Sequence, residues 1–329
     1  MPEGHTVHRL ARTFAELFGG QVLEVTSPQG RFDAGARLLD GSRLQSAQAW
    51  GKHLFLGLSR EDGGGSDPLD DHLLWLHVHL GLYGSWTFAG DGTDDVAHAI
   101  GAPRRRVGER ESVSAPRAVG AGGPGPWNPP EPRGQVRVRL LGEHAVADLT
   151  GPTRCEVVTA AERDRAIARL GPDPIRADAD PEAFVARVRR SRTSVGAQLM
   201  DQSVIAGVGN IYRAEALFRA ELDPWTPGRD VPAETLRTLW TDLVDLMHDG
   251  VRVGAIVTTR PEDRAAFGAD VPPARPVRQN TDGTPGAVPR EEAFYVYQRA
   301  GQGCRRCGTP VVVEDMAARK LYRCPGCQR

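Results

Sequence analysis

A chain of 329 residues with 40% hydrophobic content is long enough for two domains and a small appendage, each with a real core. Its formal net charge of −1 gives no bulk signal for nucleic acid. No apolar run approaches the roughly 18 residues a membrane span needs, and the first residues lack the basic-then-apolar layout of a secretory leader. A cytoplasmic protein with no membrane partner is expected.

In chain order, Val7, Leu10, Ala11, Phe14, Leu17 and Phe18 recur at helical spacing. A helix therefore begins almost at once, and the N-terminus is held rather than frayed. Short apolar or alternating runs follow: VLEVTS, RLQSAQAW, HLFLGL, LLWLHVHL and GLYGSWTF, then QVRVRL and HAVADL across a Gly-Glu turn. This is the pattern of a β-sandwich or barrel. Residues 90–134, rich in Gly, Pro and Arg, read as a flexible insertion between strands, with a basic run at Arg104, Arg105 and Arg106. From about 159 to 254, ERDRAIARL, EAFVARVRR, VGAQLMDQSV, IYRAEALFRA and ETLRTLWTDLVDLMHDGV fit helices broken by Pro or Gly. Residues 258–292 read as a second flexible loop, and the tail from Phe294 returns to strands around four cysteines. The expected division is 1–152, 153–257, the 258–292 loop, and 293–329.

Charge is local. In the tail, Arg299, Arg305, Arg306, Arg319, Lys320, Arg323 and Arg329 stand against only Glu314 and Asp315. Arg187, Arg189, Arg190 and Arg192 form a second basic cluster. Such patches suit a phosphate-bearing partner, or are solvated faces. All but two of the 41 basic residues are arginine. The exceptions, Lys52 and Lys320, are candidates for work that arginine does poorly, since the two differ in donor geometry and ease of deprotonation.

Cys304, Cys307, Cys324 and Cys327 are spaced C-x2-C-x16-C-x2-C, two close pairs that can converge as four thiolates on one structural Zn²⁺. A disulfide pair is disfavoured in a chain without an export signal. The ribbon's two strands turn near residues 317–320, which puts Arg319 and Lys320 at or beside a hairpin tip, within reach of a phosphate or merely exposed. Cys155 reads as a small, at least half-buried side chain. Upstream, Gly207 and Gly209 precede Asn210 at the start of a helix. Asn210 reads as its N-cap, and the helix start as a phosphate seat. His77 and His79 share a strand face, but no third metal ligand is evident near them.

Together these features resemble the bacterial formamidopyrimidine-DNA glycosylase/endonuclease VIII family over nearly the whole chain. The resemblance rests on Pro2-Glu3-Gly4, Gly51-Lys52-His53-Leu54, His79-Leu80-Gly81-Leu82-Tyr83-Gly84, Leu170-Gly171-Pro172-Asp173-Pro174, Asp201-Gln202, Gly207-Val208-Gly209-Asn210-Ile211-Tyr212 and the cysteine ribbon. Leu82-Tyr83 after Gly81 is closer to the endonuclease VIII branch, which acts on oxidised pyrimidines. The resemblance implies an α+β fold: an N-terminal β-sandwich with an N-terminal helix, a helical domain with a helix–two-turns–helix motif, and a C-terminal zinc ribbon. It implies a monomer that grips damaged double-stranded DNA, nucleoid-associated while acting on it, and needs no cofactor beyond one structural zinc. The alternatives within reach are a glycosylase for oxidised purines and an inactive DNA-binding paralogue.

The resemblance also assigns roles. Pro2, once the methionine is trimmed, would be the nucleophile. A generic α-amine with pKa about 7.7–8.0, against about 10.4 for lysine, has over a hundredfold more neutral form near pH 7. Glu3 would be the general acid/base, which for the acid role needs a raised pKa. Lys52 would touch phosphate and assist elimination. Asn210 and Arg319 would grip phosphate, Arg319 also serving the second elimination step. Leu82 and Tyr83 would fill the gap left by an everted base, and Glu215 would hold the N-terminus. The family usually repeats Pro-Glu soon after the first pair, whereas His5 and Thr6 stand there in this chain.

Overall fold

The computed structural model describes residues 2–59, 72–93, 99–101, 127–264 and 288–329. Most of the two stretches read as flexible insertions, including Arg104, Arg105 and Arg106, lies outside the described residues. The chain divides into two compact units, Met1–Pro2 with Thr6–Ile167, and Glu3–His5 with Ala168–Arg329. Among the described residues no helix is long and apolar enough to cross a membrane.

Helix α1 (Gly4–Phe18), which belongs to the first unit from Thr6 onward, buries the expected stripe of Val7, Leu10, Phe14 and Phe18. The strands are β1 (Val22–Thr26), β2 (Ser42–Trp50), β3 (His53–Ser59), β4 (Leu74–His79), β5 (Ser85–Gly90), β6 (Ala99–Gly101), β7 (Val136–Leu141), β8 (Ala145–Thr150) and β9 (Arg154–Thr159). Two short helices, α2 (Asp33–Leu39) and α3 (Ala160–Ile167), join them. Pairing runs β6-β5-β8-β7-β1-β2-β3-β4-β9. β1 changes partner midway: Val22 and Leu23 pair with β2, while Glu24, Val25 and Thr26 pair with β7. That switch turns one ladder into the two layers of a sandwich. Leu54, Leu56 and Val78 from one layer share a core with Trp86, Phe88, Leu140 and Leu149 from the other. Phe14 of α1 sits edge-on to Trp86 at 4.8 Å.

The sandwich agrees with the sequence pattern, but α2, β6 and β9 are additions to it. α2 is too short to show a period, β6 has three residues inside the stretch read as an insertion, and β9 has no buried residue. β9 pairs with β4, and α3 covers Phe55 and Trp75 on the outer face, so the first unit runs to Ile167, past residue 152.

The second unit holds α4 (Pro181–Arg189), α5 (Val195–Gln198), α6 (Asn210–Arg219), α7 (Ala233–Val253), α8 (Arg290–Ala293), β10 (Val312–Met316) and β11 (Arg319–Arg323). Asp180 caps α4 by accepting from Glu182 N at 2.9 Å. α7 stops at Gly254, with φ of +72°. α5 is four residues long, not the ten-residue helix its apolar run suggested. After it the chain makes turns closed by Asp201 N on Gln198 O and Val204 N on Asp201 O before α6 begins, a helix–two-turns–helix connection. Nine of the ten residues of α6 are buried, so this helix is central to the unit.

β10 and β11 form the expected hairpin, with Met316 opposite Arg319. Its two turn residues are Ala317 (φ +51°) and Ala318 (φ +56°). Such a turn suits Asn-Gly, and each alanine there costs roughly 1–2 kcal/mol. Ala317→Asn combined with Ala318→Gly should slow amide hydrogen exchange across β10 by roughly fivefold. Unchanged or faster exchange would show that the turn stores no strain.

Candidate functional site

Pro2 is buried immediately ahead of α1, and Glu3 is completely buried. The Glu3 carboxylate accepts from Gly209 N at 2.9 Å, Ile211 N at 2.8 Å and Tyr212 N at 3.3 Å. Gly4 N donates to Gly207 O at 2.8 Å, and His5 meets Tyr212 edge-on at 5.5 Å. These contacts correct the expectation for Asn210. The residue before the helix is Gly209, Asn210 is the first helical residue, and the cap comes from Glu3. The helix start that the glycines marked as an anion seat holds the protein's own carboxylate, whose charge is favoured by the amide donors and the helix dipole. A side chain at Gly209 would put its Cβ 2.5 Å from the Glu3 carboxyl carbon, which explains the glycine.

Gln202 staples the turn before α6. Its Oε1 accepts from Gly207 N at 3.0 Å, and its Nε2 donates to Val208 O at 2.9 Å. Asn210 points to the ribbon, donating to Lys320 O at 2.9 Å and accepting from Arg213 at 2.5 Å. Arg319 is exposed on β11, while Lys320 is ion-paired to Asp315 at 2.9 Å.

Glu215 is completely buried, and burial pushes its pKa up against the hydrogen bonds it receives. Those bonds come from the Thr258 hydroxyl and from the backbone N–H of Tyr295 (2.8 Å), Val296 (2.8 Å) and Tyr297 (2.7 Å). Glu215 therefore anchors the segment entering the ribbon. The expectation that it holds the N-terminus gives way to Glu3, Gly4 and His5 binding α6 and the turn before it.

The Sγ atoms of Cys304, Cys307, Cys324 and Cys327 all lie within 4.8 Å of one another, at 3.8 Å for Cys304–Cys327 and 3.4 Å for Cys307–Cys324. Four sulfurs about 2.3 Å from a tetrahedral ion would be about 3.8 Å apart, so the set fits a metal. None of the five cysteines is in a disulfide. Cys155 is half-buried, its thiol pushed up to about 12 by burial.

Lys52 stands in the tight connection between β2 and β3, where Gly51 takes φ of +56° and Trp50 pairs with His53. On the outer face of the sheet the register sets His53 beside His79 and Arg154, and Phe55 beside His77 and Glu156. His53 Nδ1 lies 2.8 Å from His77 Nε2, and His77 Nδ1 lies 3.2 Å from Glu156. A carboxylate only accepts, so His77 carries its proton on Nδ1, His53 donates from Nδ1, and His53 Nε2 is left unprotonated. His53 and His77 are pushed down to about 3, first by burial and then by neighbouring rings and cations, including Arg154. His79 is lowered too, by burial, Lys52 and Arg154. The rings are thus neutral near pH 7. Among the described residues the one group of three or more potential ligands placed to hold a metal is the cysteine set, not these histidines.

Beyond β4, Gly81 has φ of +65°, and the next two residues are exposed, Leu82 by 39% and Tyr83 by 63%. Leu82 is therefore not core packing.

Residues 1–120 match the formamidopyrimidine-DNA glycosylase N-terminal domain, and residues 170–262 the formamidopyrimidine-DNA glycosylase H2TH domain. The chain is 40% identical over 328 residues to endonuclease 8 1 of Mycobacterium tuberculosis, with 100% of both chains covered. It is 30% identical to a formamidopyrimidine-DNA glycosylase of Acidothermus cellulolyticus, covering 100% of this chain and 96% of the relative. Its fold is similar to that of the Lactococcus lactis Fpg in complex with DNA containing an abasic site, with a TM-score of 0.67 at 18% identity over 99% of each chain.

Two outcomes follow from the geometry. Glu3→Gln turns an amide N–H toward donors and should destabilise the protein by about 1–3 kcal/mol in denaturant titrations; an unmoved midpoint would mean the carboxylate does not hold α6. The histidine face should make stability pH-dependent. Unfolded rings titrate near pH 6.5 and the folded pair near 3, so the unfolded chain binds protons that the folded chain refuses. Stability is complete above about pH 6.5 and falls toward pH 3, by up to about 1.4 kcal/mol per pH unit for each ring. His77→Gln should flatten that dependence, and an identical slope in the variant would remove the ring from it.

Proposed function

The chain belongs to the formamidopyrimidine-DNA glycosylase/endonuclease VIII family, and on that premise we propose that it is a bifunctional DNA glycosylase and AP lyase of base excision repair, acting as a monomer on oxidised pyrimidines in double-stranded DNA. The observation that carries this reading is the N-terminal segment. Pro2 is followed by a carboxylate that is buried and bonded to three amides, where an idle terminus would fray. The name of the 40% identical relative supports the pyrimidine branch.

With the methionine removed, Pro2 offers a secondary amine. The amine attacks C1′, and the damaged base leaves with the electron pair of its bond to C1′ and takes up a proton. Opening of the sugar ring leaves its electron pair on O4′, which takes a proton, and joins Pro2 to C1′ as an iminium. That iminium has no N–H to lose, so its charge persists and acidifies C2′. Loss of a C2′ proton expels the 3′ phosphate, which completes a β-elimination; in the alternative β,δ course a second elimination, with loss of the C4′ proton, also expels the 5′ phosphate. Glu3 starts as the base: its amide donors favour the carboxylate, which takes the proton of the attacking amine and returns it to O4′.

Lys52, Asn210 and Arg319 are the proposed phosphate contacts, Lys52 also assisting elimination and Arg319 the second step. The exposure of Leu82 and Tyr83 supports their filling the space of the everted base, whose extrusion costs a few kcal/mol. The four thiolates are the soft tetrahedral set that suits one zinc ion, a structural role that leaves the chemistry to the protein.

Borohydride reduction on duplexes carrying thymine glycol or 8-oxoguanine tests the reading. A covalent complex is expected on the pyrimidine lesion and not with Pro2→Gly. Trapping that survives the substitution would move the nucleophile elsewhere. Faster processing of 8-oxoguanine would favour the purine branch, and no trapping on either would leave a DNA-binding paralogue.

A further inference from the structure

Arg213 lies on the first turn of α6 and is completely buried. Among the described residues it forms no ion pair with a carboxylate. Its guanidinium instead donates to Asn210 Oδ1 at 2.5 Å, to Lys320 O at 3.2 Å and to Met316 O at 3.4 Å, and its Nε has no acceptor. Burial draws its pKa down to about 10, with Glu3 opposing and Arg319 reinforcing the shift, so it stays charged near pH 7. A buried cation held by neutral oxygens alone is costly, and a fold that needed only to fill this space would do so with an apolar side chain.

The bonding pattern shows what the charge does. Guanidinium only donates, so the Asn210 carbonyl must face Arg213 and its amino group must face Lys320 O, where the 2.9 Å bond is found. The same guanidinium takes the backbone oxygens of Met316 and Lys320, on either side of the strained Ala317-Ala318 turn and of Arg319. One side chain thus sets an amide orientation at the start of α6 and the position of the hairpin end.

We propose that Arg213 is a positioning residue for phosphate binding, locking the Asn210 amide and the Arg319-bearing end of the β10–β11 hairpin into one rigid surface. This rests on the DNA-binding reading above. Being buried, Arg213 touches no phosphate itself and releases no counterion.

The test measures affinity for a short duplex with a central tetrahydrofuran abasic analogue, over a range of salt, for full-length protein checked for metal content and melting temperature. Arg213→Met should bind roughly tenfold more weakly with an unchanged salt slope, while Arg319→Ala weakens binding and lowers the slope by about 1. Arg213→Lys keeps the charge but loses the fork, and should still bind several-fold more weakly. The cycle with Asn210→Ala separates positioning from general support: the double variant should bind about as well as the weaker single one. Wild-type affinity in Arg213→Met, or strictly additive losses with Asn210→Ala, would overturn the proposal. If Arg213→Met does not fold, wild-type affinity in Arg213→Lys overturns it. If Asn210→Ala and Arg319→Ala bind normally, the failure lies with the DNA-binding reading instead.

Discussion

One carboxylate at one helix start organises the second unit. A helix begins with amides that have no partner within it, and their aligned dipoles favour negative charge. Glu3 supplies that charge to α6 across 206 residues of chain. The backbone around it is built to allow this. Gly209 and Gly4 have no room for a side chain, and Gln202 holds the intervening turn by its backbone. The residues that follow Pro2 are thereby hydrogen-bonded to the start of α6 and to the turn before it.

The interior of the second unit is specified as much by polar groups as by apolar ones. Phe184, Leu217, Leu239, Trp240 and Met247 supply the apolar burial. Such contacts tolerate sliding, whereas a buried charge is tolerated only where its donors and acceptors meet it. Glu215 gathers three successive amides of the segment entering the ribbon, and Arg213 gathers two carbonyls of the hairpin. Glu3 at the first turn of α6, and Arg213 and Glu215 on that helix, thus each bond backbone from another part of the chain.

The first unit reaches its order through strand register. Because side chains alternate across a strand, pairing β3, β4 and β9 turns one face into the sandwich core and lines the other with His53, His77, His79, Arg154 and Glu156. Neutral imidazoles beside Lys52 donate in a single direction, from His53 to His77 and from His77 to Glu156. Lys52 thus sits in a tight turn at the end of a face of neutral imidazoles.

Much of this was legible in the sequence, because it is local. The stripe of α1, the alternation of β3 and β4, the long period of α7 and the paired cysteines each repeat within a short window, where backbone geometry alone links residue to residue. The short α5, the three residues of β6 and the half-polar β9 fell below that threshold. Only the tertiary structure decided which groups satisfy one another at a distance. Glu3, not Asn210, caps α6; Glu215 serves the ribbon segment, not the N-terminus; and Arg213, unremarkable on a helix, is buried against a hairpin over 100 residues away. Local composition states that a polar group needs a partner, but which partner it meets depends on where the whole chain has already packed.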